Sequence, residues 1–335
     1  MTNENLFEKN GLYPVVTNSS TNNGVTGYTN LLPTEKGNMI TYSDTTTSDG
    51  IFYQPTDYVG YSHIQGLYPL IYKEKWKYKS LMYIVTCFRK VASGRFDYGN
   101  KFNRNIAKEM LIQLPTKDGE IDFEFMDAYI SELEEERISE LSAYLTVSGL
   151  DNYELSNEEK EALENLKLVQ WEEYNLEKLF GKSTRGKRLK SDDRINGSLP
   201  FVTAGEANTG ISDFIGNKVE VFSKNTITID MFGSAKYRNY NYGGDDHIAV
   251  VHTEKIKQES AIFITSAVHK SSYNGQFNYG RNFYAKDADT LNIMLPTKNN
   301  EIDFTYMELL ISAIKKLVIK DVVLYADKKI EATKK

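Results

Sequence analysis

Between Phe123 and Gly149 the apolar residues fall at Phe125-Met126, Tyr129-Ile130, Leu133, Ile138, Leu141 and Leu145, with acidic residues in the gaps and no proline or glycine before Gly149. Steps of three and four predict an amphipathic helix of roughly 22 residues, about 33 Å long at 1.5 Å per residue. A second stripe of the same kind runs through Met307, Leu310-Ile311, Ile314, Leu317-Val318 and Leu324-Tyr325. Two long helices with matching stripes are expected to pack as an antiparallel, coiled-coil-like pair. Met126, Ile130, Leu133, Leu141, Met307, Ile311, Ile314 and Val318 are the candidate residues of that interface or of a partner's seat on it. Between the stripes, Ser156-Asn157-Glu158-Glu159 reads as a capping box and predicts a short acidic helix. The β-branched runs 225–231 and 248–253, and the run 67–72, predict strands, with Gly- and Asn-rich turns between them. Segments 79–90 and 257–270 read as helices, although periodicity alone leaves a short buried run open to a strand reading.

The chain repeats itself. LPTKDGEIDF at 114–123 returns as LPTKNNEIDF at 295–304, and Phe96-Asp97-Tyr98-Gly99 returns as Phe277-Asn278-Tyr279-Gly280 at the same offset of 181. Further upstream the offset drifts to 187, where Asn38-Met39-Ile40-Thr41 meets Asn225-Thr226-Ile227-Thr228, and then to 186, where Asn23-Gly24-Val25 meets Thr209-Gly210-Ile211. Small changes in loop length account for the drift. An α+β fold of two repeated mixed units with pseudo-two-fold symmetry follows, divided as 1–119, a helical region 120–166, 167–303 and a closing helix 304–335. The second unit opens with Trp171 to Leu189, opposite which the first offers only Met1 to Asn10. The first is therefore shortened, or the sequence in hand begins late in it.

A length of 335 residues with 40% hydrophobic and 12% aromatic residues fills two cores. With no signal-like opening and no apolar run of membrane-spanning length, a cytoplasmic location is expected. The single cysteine, Cys87, excludes an internal disulfide and reads as a buried structural thiol. The net charge of −6 is unevenly spread: residues 120–166 carry 15 acidic and only 2 basic side chains. The flanking units are neutral to slightly basic, which leaves room for a local anion-binding patch.

Reactive chemistry is sparse. GKST at 181–184 lacks the glycine a phosphate-binding loop needs, because that position is Leu176, and with Arg185, Lys187 and Arg188 it reads better as a basic loop. His63 and His247 hold matched places without partners at metal-ligand spacing, and read as structural histidines. The carboxylates of Asp245-Asp246 have no counterpart in Tyr61-Ser62. No catalytic residue and no metal site is expected.

Two variable units, each closed by LPTK-x-x-EID and a long helix, resemble the specificity subunit of type I restriction-modification systems. The run from LFGKSTRGKRL through GSLPFVTAGEANTGISDFI, NTITIDMFGSAKYR and DDHIAV to QFNYGRN resembles that family's target recognition domain, especially in BcgI-like type IIB specificity subunits. The resemblance implies a non-catalytic reader of double-stranded DNA whose two domains each take half of a split, asymmetric target, with the helices as a ruler. It also implies docking of methyltransferase subunits, two of them, which bring S-adenosylmethionine, and of restriction or translocase subunits. No cofactor is expected on this chain itself. A rod of about 33 Å matches roughly one turn of DNA, so both readers would face one side of the duplex. Arg and Lys suit guanine or phosphate, Asn suits adenine, and Tyr suits phosphate. By that chemistry the candidate DNA-binding residues are Lys187, Arg188, Asn208, Lys236, Tyr237, Arg238, Lys270, Tyr279 and Arg281 in the second unit. In the first they are Asn22, Asn23, Arg89, Lys90, Arg95, Tyr98 and Lys101. The competing readings are a silent or truncated fragment that needs complementation, a scaffold that binds proteins rather than DNA, and an enzyme whose catalytic residues lack a recognisable motif.

Overall fold

The computed structural model describes residues 6–44, 48–96 and 99–333. The chain is α+β and divides into two compact units, one of residues 1–143 with 326–335 and the other of residues 144–325.

The first unit runs β1 (Tyr13–Val16), β2 (Val25–Thr29), β3 (Met39–Ser43), β4 (Phe52–Gln54), β5 (Val59–Gly60), β6 (Ile64–Leu67), α1 (Tyr78–Ala92), α2 (Arg104–Glu109), β7 (Thr116–Lys117), β8 (Glu120–Ile121) and the start of α3 (Phe123–Val147). Its sheets have the orders β2-β1-β5 and β4-β3-β6, with the two-stranded β7-β8 beside them. Ile40 and Tyr42 of β3 pack with Leu81, Val85 and Phe88 of α1 and with Phe102 in one core. These α1 residues are spaced four and three apart, the stripe that buries one helix face.

The second unit begins after α3 with α4 (Asn157–Glu164), β9 (Gln170–Asn175), α5 (Leu176–Phe180), β10 (Thr184–Arg185), β11 (Asn196–Val202), β12 (Ile211–Ile215) and β13 (Val221–Phe222). It continues with β14 (Thr226–Asp230), β15 (Ala235–Arg238), β16 (Tyr242–Gly244), β17 (Ile248–Val251), α6 (Gln258–Ser272), α7 (Ala285–Asp289), β18 (Asn292–Lys298), β19 (Glu301–Ile302) and α8 (Phe304–Thr333). The orders β12-β11-β16-β13 and β10-β17-β14-β15 repeat those of the first unit with one strand added to each, and β19-β18-β9 replaces the bare hairpin. Alternation along β17 serves two cores, as a pleated strand allows. Ala249 and Val251 pack toward Ile264 and Val268 of α6, whereas Ile248 and Val250 pack with Val202, Phe222 and Tyr242.

Both segments left open between helix and strand are helices, α1 and α6, and the capping box is formed: Ser156 Oγ accepts from Glu159 N at 3.2 Å while Glu159 accepts from Ser156 N at 2.7 Å. The strand expected over 67–72 is displaced to Ile64–Leu67. Pro69 cannot donate to a ladder, Tyr72 adopts a left-handed conformation (φ 52°), and Leu70 and Ile71 project into solvent. Cys87 is half-buried rather than buried, although burial still pushes its thiol above the usual range. No helix among the described residues is long and apolar enough to cross a membrane.

The two stripes do not behave as single seams. Met307 is fully buried in the core of its own unit with Leu176, Ile264 and Leu295. Met126 at the start of α3 is equally buried, and Ile130 and Ile311 nearly so. Leu141 is half-buried, and Leu133, Ile314 and Val318 stand exposed, the last at 74%. The first turns of each long helix thus close a domain core, which changes the reading of these residues from one interface to two separate roles. We expect Met307→Ala to lower stability by about 2–5 kcal/mol through cavity formation. Val318→Ala should stay within about 0.5 kcal/mol; chemical denaturation of the two variants makes the comparison.

Candidate functional site

The strand ladders of the second unit gather several loops at one end of a sheet. Asp230 ends β14 opposite Ile248, which begins β17, and Arg185 ends β10 opposite Ala249. The segments that leave or enter there are 186–190, the β14–β15 turn and Asp245-Asp246-His247. The loop 276–284 joins them, with Phe283 N donating to Met231 O at 2.9 Å and the Tyr279 ring meeting Phe232 edge-on at 5.2 Å.

On this rim Lys187 is 82% exposed, with only a loose 3.7 Å approach to Glu220. Arg188, next in the same loop, and Arg281, in the loop 276–284, are also exposed, Arg281 leaning over the Phe277 ring at 5.3 Å. Tyr279 is 85% exposed. Arg185 donates to Asp246 O at 2.6 Å and to its carboxylate at 3.2 Å, and Leu189 N donates to Asp245 at 3.4 Å, so the acidic pair braces the basic loop. His247 Nδ1 faces the same carboxylates, 3.4 Å from Asp246 and 3.8 Å from Asp245, and the ligand atoms of the three residues lie within 4.8 Å of one another. Gly186 lies against the Gly244 and Asp245 carbonyls, 2.2–2.3 Å from where a Cβ would sit, so no side chain fits at that point of the loop.

Other candidates are structural members. Arg238 is 1% exposed; its guanidinium donates to Thr228 Oγ1 at 2.9 Å, to Thr209 O at 2.8 Å and to Tyr240 Oη at 2.9 Å. The turn it holds runs left-handed through Asn208 (φ 47°), Thr209 (φ 53°) and Gly210 (φ 82°). Two consecutive non-glycine residues in that region are costly unless the surroundings fix them. The first unit repeats the device with a different residue. Gln54, 2% exposed, donates to Thr41 Oγ1 at 2.9 Å and to Asn23 O at 3.1 Å, under a turn with Asn22 at φ 47°, Asn23 at φ 55° and Gly24 at φ 76°. Gln54 and Arg238 hold the same ladder position, opposite Met39 and Thr226. Arg238 is therefore a clamp and not a base reader, a correction forced by its burial.

Tyr237 is a second such case. Its hydroxyl donates to Asn225 at 2.9 Å, as Tyr53 does to Asn38 at 3.1 Å, and burial pushes the Tyr237 phenol up. Arg89 is exposed as a residue, but its guanidinium donates to Ile51 O at 2.7 Å and covers the Phe52 ring at 4.8 Å, and this partial desolvation lowers its pKa. The Asn23 amide is spent on Tyr53 O at 2.7 Å. Lys236, with a side chain only 14% exposed, pairs with Glu206 at 3.2 Å and approaches Asp230 at 3.7 Å; bonds from Ser234 and Lys236 hold the Glu206 carboxyl below its usual range.

The remaining candidates are surface residues. Asn22 and Asn208 are exposed on their turns, each bonding a carbonyl three residues on. The loop bearing Asn208 starts at the rim, where Gly205 N donates to Asp230 at 3.4 Å, but then runs down β15, so Asn208 lies away from the rim. Lys270 is exposed and borders a groove with Trp171, Phe263 and Met294. In the first unit Lys90, Arg95 and Lys101 are exposed near the end of α1, and Arg95 reaches back to Val91 O at 3.4 Å. Tyr98 lies outside the described residues. Gln54, Thr41, Thr228 and Phe232 are functional or framework residues that were not among the candidates. The signal for the first three was present, since Thr41 and Thr228 align at the offset of 187 and Gln54 and Arg238 at 184; Phe232 carried none.

The chain belongs to the type I restriction-modification DNA specificity domain family, whose model matches residues 1–143 and 169–324. Among curated relatives, the specificity subunit of the type II restriction enzyme BcgI from Heyndrickxia coagulans is 25% identical over 232 residues, covering 68% of this chain and 64% of the relative. The matched stretch thus spans somewhat less than two thirds of that relative's length. Among solved structures, the type I restriction-modification S subunit of M. genitalium aligns with a TM-score of 0.51 at 16% identity over 99% of this chain and 88% of that one, a likeness of fold.

The clamp predicts an ordered mutant series. Arg238→Ala should destabilise the second unit by about 3 kcal/mol, because it strands a buried hydroxyl and a carbonyl and opens a cavity. Arg238→Gln, the first unit's own solution, should recover most of the loss. Thermal unfolding of the three proteins measures the order.

Proposed function

We propose that the chain is a non-catalytic, sequence-specific DNA-recognition subunit of a restriction-modification complex, each unit reading one half of a bipartite, asymmetric target. Membership of the DNA specificity family supports recognition as the role. The observation that carries it to particular atoms is the rim of the β10-β17-β14-β15 sheet, where Lys187, Arg188, Arg281 and Tyr279 stand exposed on loops braced from beneath. Cationic and phenolic groups on a fixed rim suit a phosphate backbone, and guanidinium forks suit guanine edges. Because Arg281 aligns with Asn100 at the offset of 181, the two half-sites should differ.

In this reading α3 and α8 set the spacing of the two half-sites. The exposed Leu133, Ile314 and Val318 seat partner subunits: two methyltransferases that bring their own S-adenosylmethionine, and in some assemblies a restriction or translocase subunit.

Binding to specific duplex should weaken linearly in log affinity against log salt, since neutralised phosphates release counterions. The double substitution Lys187→Ala/Arg188→Ala should reduce that slope by about 1–2 with no loss of thermal stability. An unchanged slope would remove the basic loop from the interface.

A further inference from the structure

The loop 276–284 closes into a small hairpin whose tip carries an aromatic ring into solvent. Asn278 and Arg281 exchange both backbone bonds, N to O at 3.0 Å in each direction, so that only Tyr279 and Gly280 lie between them. Gly280 N also donates to Asn278 Oδ1 at 2.8 Å. Both arms are anchored. Phe277 and Phe283, 7% and 1% exposed, meet edge-on at 4.9 Å in the core of the unit, and Phe283 N holds Met231 O at 2.9 Å. A two-residue tip tied at both ends has little conformational freedom left to lose on binding.

The surface beneath the tip is fixed as well. Phe232, whose ring stands at 84° to that of Tyr279, sits in the β14–β15 turn. Asp230, 3% exposed, accepts from Phe232 N at 2.9 Å and from Ser234 N at 3.0 Å, and Gly233 N donates to Asp230 O at 2.8 Å. From the other side Ser272 Oγ donates to Gly233 O at 2.6 Å, and a Cβ on Gly233 would strike the Ser272 carbonyl. Phe232 is thus a fixed platform that sets the orientation of the Tyr279 ring through one edge contact, while 85% of the tyrosine stays open. A lone exposed aromatic is ordinary on a protein surface. One held at the tip of a tied hairpin, with its ring oriented by a second aromatic, is placed for stacking.

We propose that Tyr279 is a wedge: its ring enters between two adjacent base pairs of duplex DNA and stacks on one of them, opening the step and kinking the helix. The proposal rests on the recognition role above and gives the ring a task beyond the phosphate contact open to the hydroxyl. A hydroxyl contact alone needs neither the tied tip nor the oriented ring. Stacking tolerates any base, but the ease of opening a step depends on sequence, and pyrimidine–purine steps open most readily. The wedge therefore reads deformability at a step whose base edges no side chain has to touch. Arg281, held over the Phe277 ring in the same hairpin, supplies a cation for a neighbouring phosphate.

Duplex sites selected from random DNA by the full-length chain with its methyltransferase, labelled with a dye at each end, are the probe. Tyr279→Ala should weaken binding of the selected duplex about tenfold to hundredfold, the worth of one stacked base. Energy transfer between the duplex ends should fall in that complex as the kink relaxes. Tyr279→Phe should keep the affinity within about twofold, because the stacking face is retained, and should keep the energy transfer. All three proteins should unfold at the same temperature, since the ring lies at the surface. Equal losses in the Phe and Ala variants would assign Tyr279 to a phosphate through its hydroxyl and overturn the wedge. An undiminished affinity for Tyr279→Ala overturns it too, as does weak binding with an unchanged bend. Failure to select any site would remove the recognition role and the wedge together, whereas the other three contrary results leave recognition standing.

Discussion

One buried contact sets the geometry beside the sheet in each unit: a side chain on a β-strand that bonds a threonine hydroxyl across the ladder and the carbonyl of a left-handed turn. Without it, two non-glycine residues at positive φ keep only the bonds that the turn's own asparagines and backbone make, and the loop they carry is freer to relax. That the position is Gln54 in one unit and Arg238 in the other, with the same acceptors at nearly the same distances, identifies the constraint as geometric. Charge is incidental to it. Arg238 spends its guanidinium inside the protein, and the surface chemistry is left to Lys187, Arg188, Tyr279 and Arg281.

The duplicated design also separates what the fold requires from what each unit does with it. Tyr53 and Tyr237, Asn38 and Asn225, and Met126 and Met307 recur in the same places and hold the same structure. The residues that differ cluster where loops leave the sheet and along the long helices. Glu135 against Lys316, at the offset of 181, is a difference of this second kind. Such differences make the two units unequal as surfaces while their frameworks agree.

Much of this was legible in the chain itself. Ten nearly identical letters at 114–123 and 295–304 fixed the repeat, helical steps of three and four fixed α3 and α8, and the capping box at Ser156 fixed the start of α4. What failed was the inference from residue type to exposure. Arg238 and Tyr237 have the chemistry of readers, but a long side chain beside a buried acceptor is drawn inward, and one strand's letters do not show which way it points. The strand expected over 67–72 failed because its apolar letters outweighed Pro69. In Met307 and Val318 one stripe concealed two environments, since Val318 is exposed between the buried first turns of α8 and Val323 and Ala326, which are buried again.

The central claim, that two similar frameworks carry unlike reading surfaces in one recognition subunit, is tested most directly by selecting bound sites from random duplex DNA with the chain and its methyltransferase at low salt. The account predicts enrichment of two different short blocks at a fixed separation. A single block, a palindrome, or no enrichment would contradict it.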